Sequence, residues 1–244
     1  MPEITEQSLS RAWLRAVALA NTSPRKEVST LIVNLENLAG GNLAEDDSIR
    51  NKLDEGLESN GNFSVATVAN TIFPTSLRKP HESRQDFFNR YIRVWPRINA
   101  IKQNRRGTYF QRLIAYPQVA VGAFNQLDFV ISAYSSGTRR RSALQCAILA
   151  PSMDLNATPF QGFPCMQQVA FIPEGENGLR VSALYPMHYL WARAYGNYLG
   201  LLNLGRFMAA EMGLELTALT CVALVAKLDE PKLILPFKED IDAL

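Results

Sequence analysis

The sequence predicts a protein of the α/β type, and more closely α+β, in which helices pack against a mainly antiparallel or mixed sheet. Three observations support this class. The 244 residues are 47% apolar and 20% charged, the balance of an ordinary globular protein, and a chain of this length can fold without disulfides or metal. Apolar residues recur at helical spacing in the first half and show strand patterns in the second. No low-complexity linker or internal repeat interrupts residues 1–244, which indicates a single domain.

The first half of the chain contains most of the predicted helices. Leu9, Trp13 and Val17 recur at helical spacing, which predicts an amphipathic helix over residues 7–20 that ends at the Asn-Thr-Ser-Pro sequence. A run rich in β-branched residues predicts a strand over residues 27–34. Further helices are predicted over residues 49–57, 63–73, 84–101 (stopped or kinked by Pro96) and 123–133.

The second half is dominated by predicted strands. The apolar or alternating patterns predict strands over residues 142–149, 167–172, 179–185 and 219–228, and the Pro-Glu-Gly-Glu-Asn-Gly sequence predicts a hairpin between the second and the third. The strongest helical stripe of the chain runs from Tyr198 to Met212. Gly213 follows it at the position where helices often end in a left-handed residue.

Charge and hydropathy exclude several classes of protein. The net charge of +2 is too small for a groove that binds nucleic acid, so a small anionic ligand is the better candidate. The longest apolar runs are shorter than the roughly 20 residues that a membrane span requires. The N-terminus carries acids and polar residues instead of a basic segment and an apolar run, so a cytoplasmic location is expected.

The run Arg139, Arg140 and Arg141 is the first candidate site. It follows a Ser-Ser-Gly turn and precedes a predicted strand. Guanidinium groups there could bind a phosphate or a carboxylate through paired hydrogen bonds. The alternative is a solvated corner, which is the commoner role of three basic residues in a turn.

The cysteines form neither a disulfide framework nor a zinc motif, because there are three of them without C-x-x-C spacing. Cys146 and Cys221 lie in apolar strand patterns and are expected in the core. Cys165 follows Gly162 and Pro164 at a predicted turn, where a thiol can face a cavity. It is either a packing residue or a nucleophile. A nucleophilic role requires a positive neighbour that lowers the thiol pKa, and the arginine run is a candidate.

Asn197 lies between Gly196 and the strongest helix, which suggests an N-cap. Its amide also offers one acceptor and one donor, which match the carbonyl and N–H groups of a uracil-type ring. Both interpretations remain open at this point.

The order of these features resembles the thymidylate synthase superfamily, which also contains pyrimidine nucleotide hydroxymethylases. The resemblance runs from about residue 105 to 230. It rests on the following succession of motifs: Gly107-Thr108-Tyr109, Gln111-Arg112, Asn125-Gln126-Leu127, Arg140-Arg141, Pro164-Cys165, Leu184-Tyr185, Gly196-Asn197 and Gly213-Leu214-Glu215.

The resemblance implies the family fold, a sheet-to-sheet homodimer, and transfer of a methyl or hydroxymethyl group to C5 of a pyrimidine nucleoside monophosphate. By this resemblance Cys165 adds to C6 of the ring and Tyr109 assists removal of the C5 proton. Asn197 holds the O4 and N3 edge of a uracil ring, and 5,10-methylenetetrahydrofolate is the one-carbon donor. The 5′-phosphate is bound by Arg140 and Arg141, which reach into the partner's site, and Gln168 corresponds to a glutamine that orients the ring.

The departures from the family pattern are equally specific. Met166 follows the cysteine where the family has histidine, and Gln168 falls two residues early. Pro186-Met187-His188 replaces a Gln-Arg-Ser motif whose arginine binds phosphate, so His188 or Arg193 is the expected substitute. The folate-binding aspartate of the family aligns near Tyr189, and its sugar-binding His-x-Tyr pair aligns with Lys227 and Asp229. No counterparts of the family's N-terminal Arg-Thr-Gly loop or catalytic glutamate are recognisable.

Two hypotheses follow. The first is a diverged enzyme that retains the covalent chemistry of Cys165 on an altered nucleotide. The second is a protein that keeps the fold, and binds a nucleotide or assembles with partners, without catalysis. The retained cysteine, asparagine and arginines favour the first hypothesis, whereas the missing folate and phosphate ligands favour the second.

Overall fold

A computed structural model describes residues 1–41, 45–138, 140–155, 157 and 165–244. In this part of the chain, strands form one mixed sheet in the spatial order β1-β3-β7-β6-β5-β4, and the short β2 also pairs with β7. The strands are β1 (Glu3–Glu6), β2 (Glu27–Val28), β3 (Leu31–Leu35), β4 (Gln145–Ala147), β5 (Gln168–Glu174), β6 (Gly178–Tyr189) and β7 (Glu215–Lys227).

The helices lie between these strands along the chain. They are α1 (Leu9–Thr22), α2 (Asp47–Ser59), α3 (Val65–Ile72), α4 (Arg84–Ala100), α5 (Tyr109–Ile114), α6 (Gln126–Ser135), α7 (Pro151–Asp154), α8 (Tyr195–Met212) and α9 (Lys238–Asp242). A π-helical turn over Leu190–Ala194 connects β6 to α8. Among the described residues, no helix combines the length and the apolar character needed to cross a membrane.

Two crossover units organise the sheet. β1 runs parallel to β3 and is joined to it through α1, and β6 runs parallel to β7 and is joined to it through α8. The β3–β7, β5–β6 and β4–β5 pairs are antiparallel. Helices and a mixed sheet thus combine as the sequence predicts.

One face of the sheet is buried against helices. Along β6, Val181, Ala183 and Tyr185 are buried in the core, whereas the alternating Ser182 and Leu184 are half-buried on the opposite face. A strand with this alternation packs one face and leaves the other accessible. We refer to the second face as the outer face.

Helix α8 packs closely against α3 because it carries glycine at two facing positions. A Cβ atom on Gly196 would lie 2.6 Å from Cβ of Val68, and one on Gly200 would lie 2.8 Å from the carbonyl oxygen of Ala69. Neither contact is sterically possible, so a side chain at either position would separate the helices. This packing buries the start of α8, where Asn197 lies.

Most predicted elements are confirmed. The helices predicted over residues 7–20, 49–57, 63–73 and 123–133 correspond to α1, α2, α3 and α6, and the predicted hairpin joins β5 to β6. The helix predicted over 84–101 continues through Pro96 to Ala100 as α4. Gly213 ends α8 with a left-handed φ of 67°, and its N–H donates to the last turn of the helix.

Three predictions differ from the structure. The strand predicted over residues 27–34 is divided into β2 and β3, which pair with the same strand β7. The strand predicted over 142–149 shortens to β4, because a 3-10 turn over Arg141–Ala143 precedes it. The N-cap assignment of Asn197 is wrong: the π-helical turn continues directly into α8, so Asn197 lies inside helical backbone.

Candidate functional site

Cys165 is the exposed cysteine of the chain. It lies just before β5, whereas Cys146 on β4 and Cys221 on β7 are buried, as the sequence predicts. Gly162 and Pro164, which support the predicted turn, lie outside the described residues. The following residue, Met166, is fully buried and fixes the backbone beside the cysteine.

Tyr109 lies against this backbone segment. It begins α5, which is capped by Thr108, whose hydroxyl accepts a hydrogen bond from the backbone N–H of Gln111 at 3.2 Å. The backbone N–H of Met166 donates to the Tyr109 hydroxyl at 3.3 Å. The structure therefore brings together the two residues that the resemblance assigns to catalysis.

The Tyr109 hydroxyl stays protonated near neutral pH. Burial raises its pKa, and the nearby Cys165 thiol raises it further, whereas hydrogen bonds from the backbone of Met166 and Cys165 lower it. A protonated hydroxyl can donate a hydrogen bond or orient a water molecule, but it is a poor base.

Arg193 is the cation that acts on Cys165. Burial around the Cys165 thiol raises its pKa although the residue as a whole is exposed, and the positive charge of Arg193 opposes that rise. Arg193 belongs to the π-helical turn, and its guanidinium carbon lies 5.4 Å from the centre of the Phe63 ring. The thiol is thus mainly protonated at neutral pH, and further activation would have to come from a bound ligand.

His188 and Asn197 form a buried hydrogen-bonded pair. Nε2 of His188 lies 3.0 Å from Nδ2 of Asn197. The His188 ring stacks on Tyr185 with 4.2 Å between ring centres and an interplanar angle of 12°, and it meets Tyr198 edge-on at 5.6 Å. Burial lowers the pKa of His188 to about 3, so the ring is neutral. A buried, neutral His188 ring that is bound to Asn197 suits the role of orienting that side chain. It suits the predicted role of binding a phosphate less well.

Tyr185 stacks on His188 and lies near enough to Cys165 for that thiol to affect its pKa. Its pKa is raised well above the usual value by burial, and the charges of Cys221, Tyr109 and Cys165 contribute to the rise. In the described part of the chain, the Tyr185 hydroxyl and Nδ1 of His188 are sealed from solvent without a hydrogen-bond partner. Buried polar groups of this kind are uncommon and often mark places where a water molecule or a ligand binds. We refer to Tyr109, Cys165, Tyr185, His188, Arg193 and Asn197 as the inner cluster.

The remaining predicted residues lie elsewhere. Gln168 donates a hydrogen bond to Gln145 across β4 and β5. Together with Arg140 it lines a depression of about 540 Å³ at the outer face, which also exposes the paired rings of Phe124 and Phe129. Gln168 is paired with Leu184 on the outer face, whereas Tyr185 of the inner cluster is on the buried face of the same strand.

One residue of the arginine run, Arg140, lines this outer-face depression. Arg140 and Arg141 are both exposed, and Arg139 lies outside the described residues. No ion pair involves Arg140 or Arg141 within the described ranges of the chain. Within the subunit, Arg193 supplies a positive charge that acts on Cys165, and the predicted role of the arginine run beside the cysteine stays a prediction.

Sequence reasoning missed a residue that supports the inner cluster. The carboxylate of Asp229 accepts hydrogen bonds from the backbone N–H groups of Trp191 at 2.9 Å and Ala192 at 3.2 Å, so it caps the π-helical turn that carries Arg193. The resemblance aligned Asp229 with the family's sugar-binding pair, and no local sequence pattern pointed to this capping role.

A buried ion pair also supports the cluster. Arg112 on α5 pairs with both carboxylate oxygens of Asp154 at 2.9 and 3.0 Å, with side chains 1% and 3% exposed. The same carboxylate accepts from the N–H of Ala150 at 2.7 Å. The pair fastens the segment after β4 to the helix that begins with Tyr109.

Comparison of the sequence with known protein families and with curated proteins gives no match. The arrangement itself can support covalent addition by a thiol, hydrogen bonding to a planar polar ring, and charge stabilisation by one guanidinium group.

Proposed function

We propose that this protein is a diverged member of the thymidylate synthase superfamily that transfers a one-carbon unit to C5 of a pyrimidine nucleoside monophosphate. The observation that carries the proposal is the contact between the Met166 backbone and the Tyr109 hydroxyl, which joins the predicted nucleophile to its predicted helper. Arg193 and the His188–Asn197 pair lie in the same inner cluster. Three chain segments that are distant in sequence, around residues 109, 165 and 188–197, thus meet near one thiol.

In the proposed reaction, the sulfur of Cys165 loses its proton and bonds to C6 of the ring. The electron pair of the C5–C6 double bond moves toward C5 and O4, which makes C5 a carbon nucleophile. C5 then bonds to the carbon of the one-carbon donor while that carbon's bond to the rest of the donor breaks. The C5 proton passes to solvent and the sulfur leaves from C6 as a thiolate, so the double bond is restored. A hydroxymethyl product would take its oxygen from water and needs no reductant, whereas a methyl product would need a hydride from the donor.

The other members of the cluster have separate roles in this proposal. Arg193 lowers the energy of the thiolate, and Asn197 hydrogen bonds to the ring. Tyr109 donates a hydrogen bond near C5, in agreement with its raised pKa. Such enzymes act on free nucleotides, which is consistent with the proposed cytoplasmic location.

The folate donor fits the described residues poorly. The position aligned with the family's folate-binding aspartate is Tyr189, which is 39% exposed and offers no carboxylate. We therefore assign no step to 5,10-methylenetetrahydrofolate, which enters the test as the donor that the resemblance implies.

A homodimer forms part of the proposal. The outer face carries apolar side chains that no described element fully covers: Ile32, Ile172, Leu184 and Val222 are half-buried, and Leu224 is 46% exposed. Packing of a second copy against this face would bury them and would direct Arg140 and Arg141 toward the partner. This arrangement agrees with binding of the nucleotide phosphate by arginines from the neighbouring subunit.

The second candidate function is nucleotide binding or assembly without catalysis. It is favoured by the raised pKa of Cys165, because a thiol that remains protonated is a weak nucleophile. The absence of a carboxylate at Tyr189 supports the same alternative.

A thermal-shift panel tests the proposed function. Ribo- and deoxyribonucleoside monophosphates of uracil and cytosine are added with and without 5,10-methylenetetrahydrofolate. At least one pyrimidine monophosphate is expected to raise the Tm of the wild-type protein. Asn197→Ala should abolish the rise, and Asn62→Ala serves as a matched control at a half-buried asparagine in the loop before α3. An unchanged Tm with all four nucleotides would contradict the proposal.

A further inference from the structure

One stretch of the chain concentrates positive charge. Residues 87–127 contain seven Lys or Arg residues and no Asp or Glu, whereas the rest of the chain contains 18 basic and 23 acidic residues. The net charge of +2, which argued against a groove for nucleic acid, is therefore the average of a basic segment and an acidic remainder. Such a segment creates a local positive field if the fold keeps its charges together at the surface.

The fold keeps five of these seven charges at the surface. The other two are engaged within the protein, since Arg112 is buried against Asp154 and Arg90 pairs with Glu82. The five are exposed and form no ion pair within the described ranges of the chain. They lie on the second half of α4, on the 3-10 turn over Lys102–Asn104 and directly after it. We refer to them as the basic strip: Arg93, Arg97, Lys102, Arg105 and Arg106.

The helical part of the strip carries uncompensated repulsion. Arg93 and Arg97 are four residues apart on α4, so their side chains are neighbours on the helix surface. No residue three or four positions from either arginine is acidic. Like charges at this spacing destabilise a helix. An anion bound across both guanidinium groups would remove the repulsion.

The part of the strip that follows α4 is held by hydrogen bonds of the main chain. The N–H groups of Asn104 and Gly107 donate to the carbonyl oxygens of Ile101 and Asn104, both at 2.9 Å. The guanidinium group of Arg112 donates to the carbonyl oxygen of Arg106 at 3.3 Å. The backbone that carries the charges is therefore fixed before any ligand binds, which lowers the entropic cost of binding.

A row of exposed cations fits a polymer that carries a negative charge on every unit, as the backbone of a nucleic acid does. Four of the five residues in the strip are arginines, whose planar guanidinium groups bind phosphate through paired hydrogen bonds. A lipid surface fits less well. The apolar side of α4, with Phe87, Phe88 and Tyr91, is buried in the core and cannot enter a membrane.

We propose that the basic strip binds the phosphate backbone of a nucleic acid through charge. The proposal does not depend on one-carbon transfer, because no residue of the strip belongs to the inner cluster. It adds a surface for a polymeric ligand in the segment that precedes α5.

Fluorescence anisotropy with labelled oligonucleotides of equal length tests the proposal. The three probes are single-stranded RNA, single-stranded DNA and duplex DNA, and the tightest complex identifies the form of nucleic acid that the strip prefers. Each contact between a cation and a phosphate of a single strand contributes about −0.7 to the slope of log K against log salt concentration. Five contacts therefore predict a slope of about −3.5 for the single strands. A slope near zero, or no binding of any probe at about 50 mM salt, would overturn the inference.

Two double substitutions separate the strip from the overall charge. Arg93→Gln/Arg97→Gln should weaken binding of a single strand by roughly 10- to 30-fold at about 0.1 M salt, because two phosphate contacts are lost. Arg25→Gln/Lys232→Gln removes two exposed charges outside the strip and should leave binding unchanged. Both variants lower the net charge equally, and all four side chains are exposed, so the fold should be retained. Equal weakening by the two variants would overturn the inference.

Competition separates nucleic acid from other polyanions. Unlabelled oligonucleotide, poly-glutamate, or vesicles of phosphatidylserine and phosphatidylcholine are added to the complex at equal concentrations of negative charge. The oligonucleotide is expected to displace the labelled probe at the lowest concentration. Equal or better displacement by poly-glutamate would assign the strip to an acidic protein segment, and displacement by vesicles would assign it to a membrane surface. Either result would overturn the inference.

Discussion

The inner cluster and the outer face hold the same kinds of residue in opposite environments. In the inner cluster, Asn197 is fixed by a hydrogen bond to a buried neutral histidine, and Arg193 lies in a capped turn beside a thiol. At the outer face, Gln168 pairs with Gln145, and Arg140 is exposed beside two accessible aromatic rings. Residue type alone therefore does not indicate a site. A polar side chain that is rigidly held and desolvated is suited to catalysis, whereas an exposed one is suited to contact with another molecule.

Loss of the Arg112–Asp154 ion pair, which supports the inner cluster, should destabilise the protein more than the other substitutions proposed. Asp154→Asn leaves the Arg112 guanidinium buried without its counter-charge, which should lower the free energy of unfolding by about 3–5 kcal/mol. Urea denaturation followed by circular dichroism measures this change. The matched control is Asp242→Asn, which removes an exposed ion pair with Lys238 and should change stability little. Equal effects of the two substitutions would show that burial of the Arg112–Asp154 pair is unimportant.

The next prediction concerns the outer face. Val222→Lys places a charge in the middle of the proposed contact between subunits, where it would be desolvated. Sedimentation velocity should show a dimer for the wild type and a monomer for the variant, with the alkylation rate of Cys165 unchanged. Lys79→Glu, an exposed charge reversal outside the sheet, should leave the dimer intact. A monomeric wild-type protein would refute the proposed dimer.

A smaller change is expected in the alkylation rate of Cys165, and it distinguishes Arg193 from the exposed Arg140 and Arg141. Because Arg193 opposes the rise in the Cys165 pKa, Arg193→Gln should raise that pKa further and shift the alkylation profile to higher pH. Loss of a nearby charge should slow iodoacetamide labelling at pH 8 by roughly three- to tenfold. Arg193→Lys should retain most of the rate, and Arg141→Gln should have no effect. A larger effect from Arg141 than from Arg193 would reverse the assignment.

Sequence periodicity predicted the regular elements well, since helices such as α1 and strands such as β6 have clear apolar patterns. It failed where long-range contacts decide local structure. Asn197 resembles an N-cap from its position after glycine, but the π-helical turn, held by Asp229 from the far end of β7, extends the helical backbone past it.

The candidate site was predicted only in part. Residue type and position pointed to Cys165 and Asn197, the resemblance added Tyr109, and the sequence favoured the arginine run as the charge beside the cysteine. Within the subunit the fold brings Arg193 to the cysteine, because the π-helical turn follows β6 directly at the edge of the inner cluster. The neutral state of His188 depends on its burial between two tyrosines, which no local pattern indicates.

The proposed bond between Cys165 and C6 of a pyrimidine nucleotide can be detected in an intact-mass experiment with 5-fluoro-2′-deoxyuridine monophosphate. The fluorine at C5 blocks the final loss of the C5 substituent, so a productive enzyme should accumulate a covalent adduct in the presence of 5,10-methylenetetrahydrofolate. Peptide mapping should locate the adduct on Cys165, and Cys165→Ser should show none. Wild-type protein that stays unmodified, or an adduct that persists in Cys165→Ser, would contradict the account.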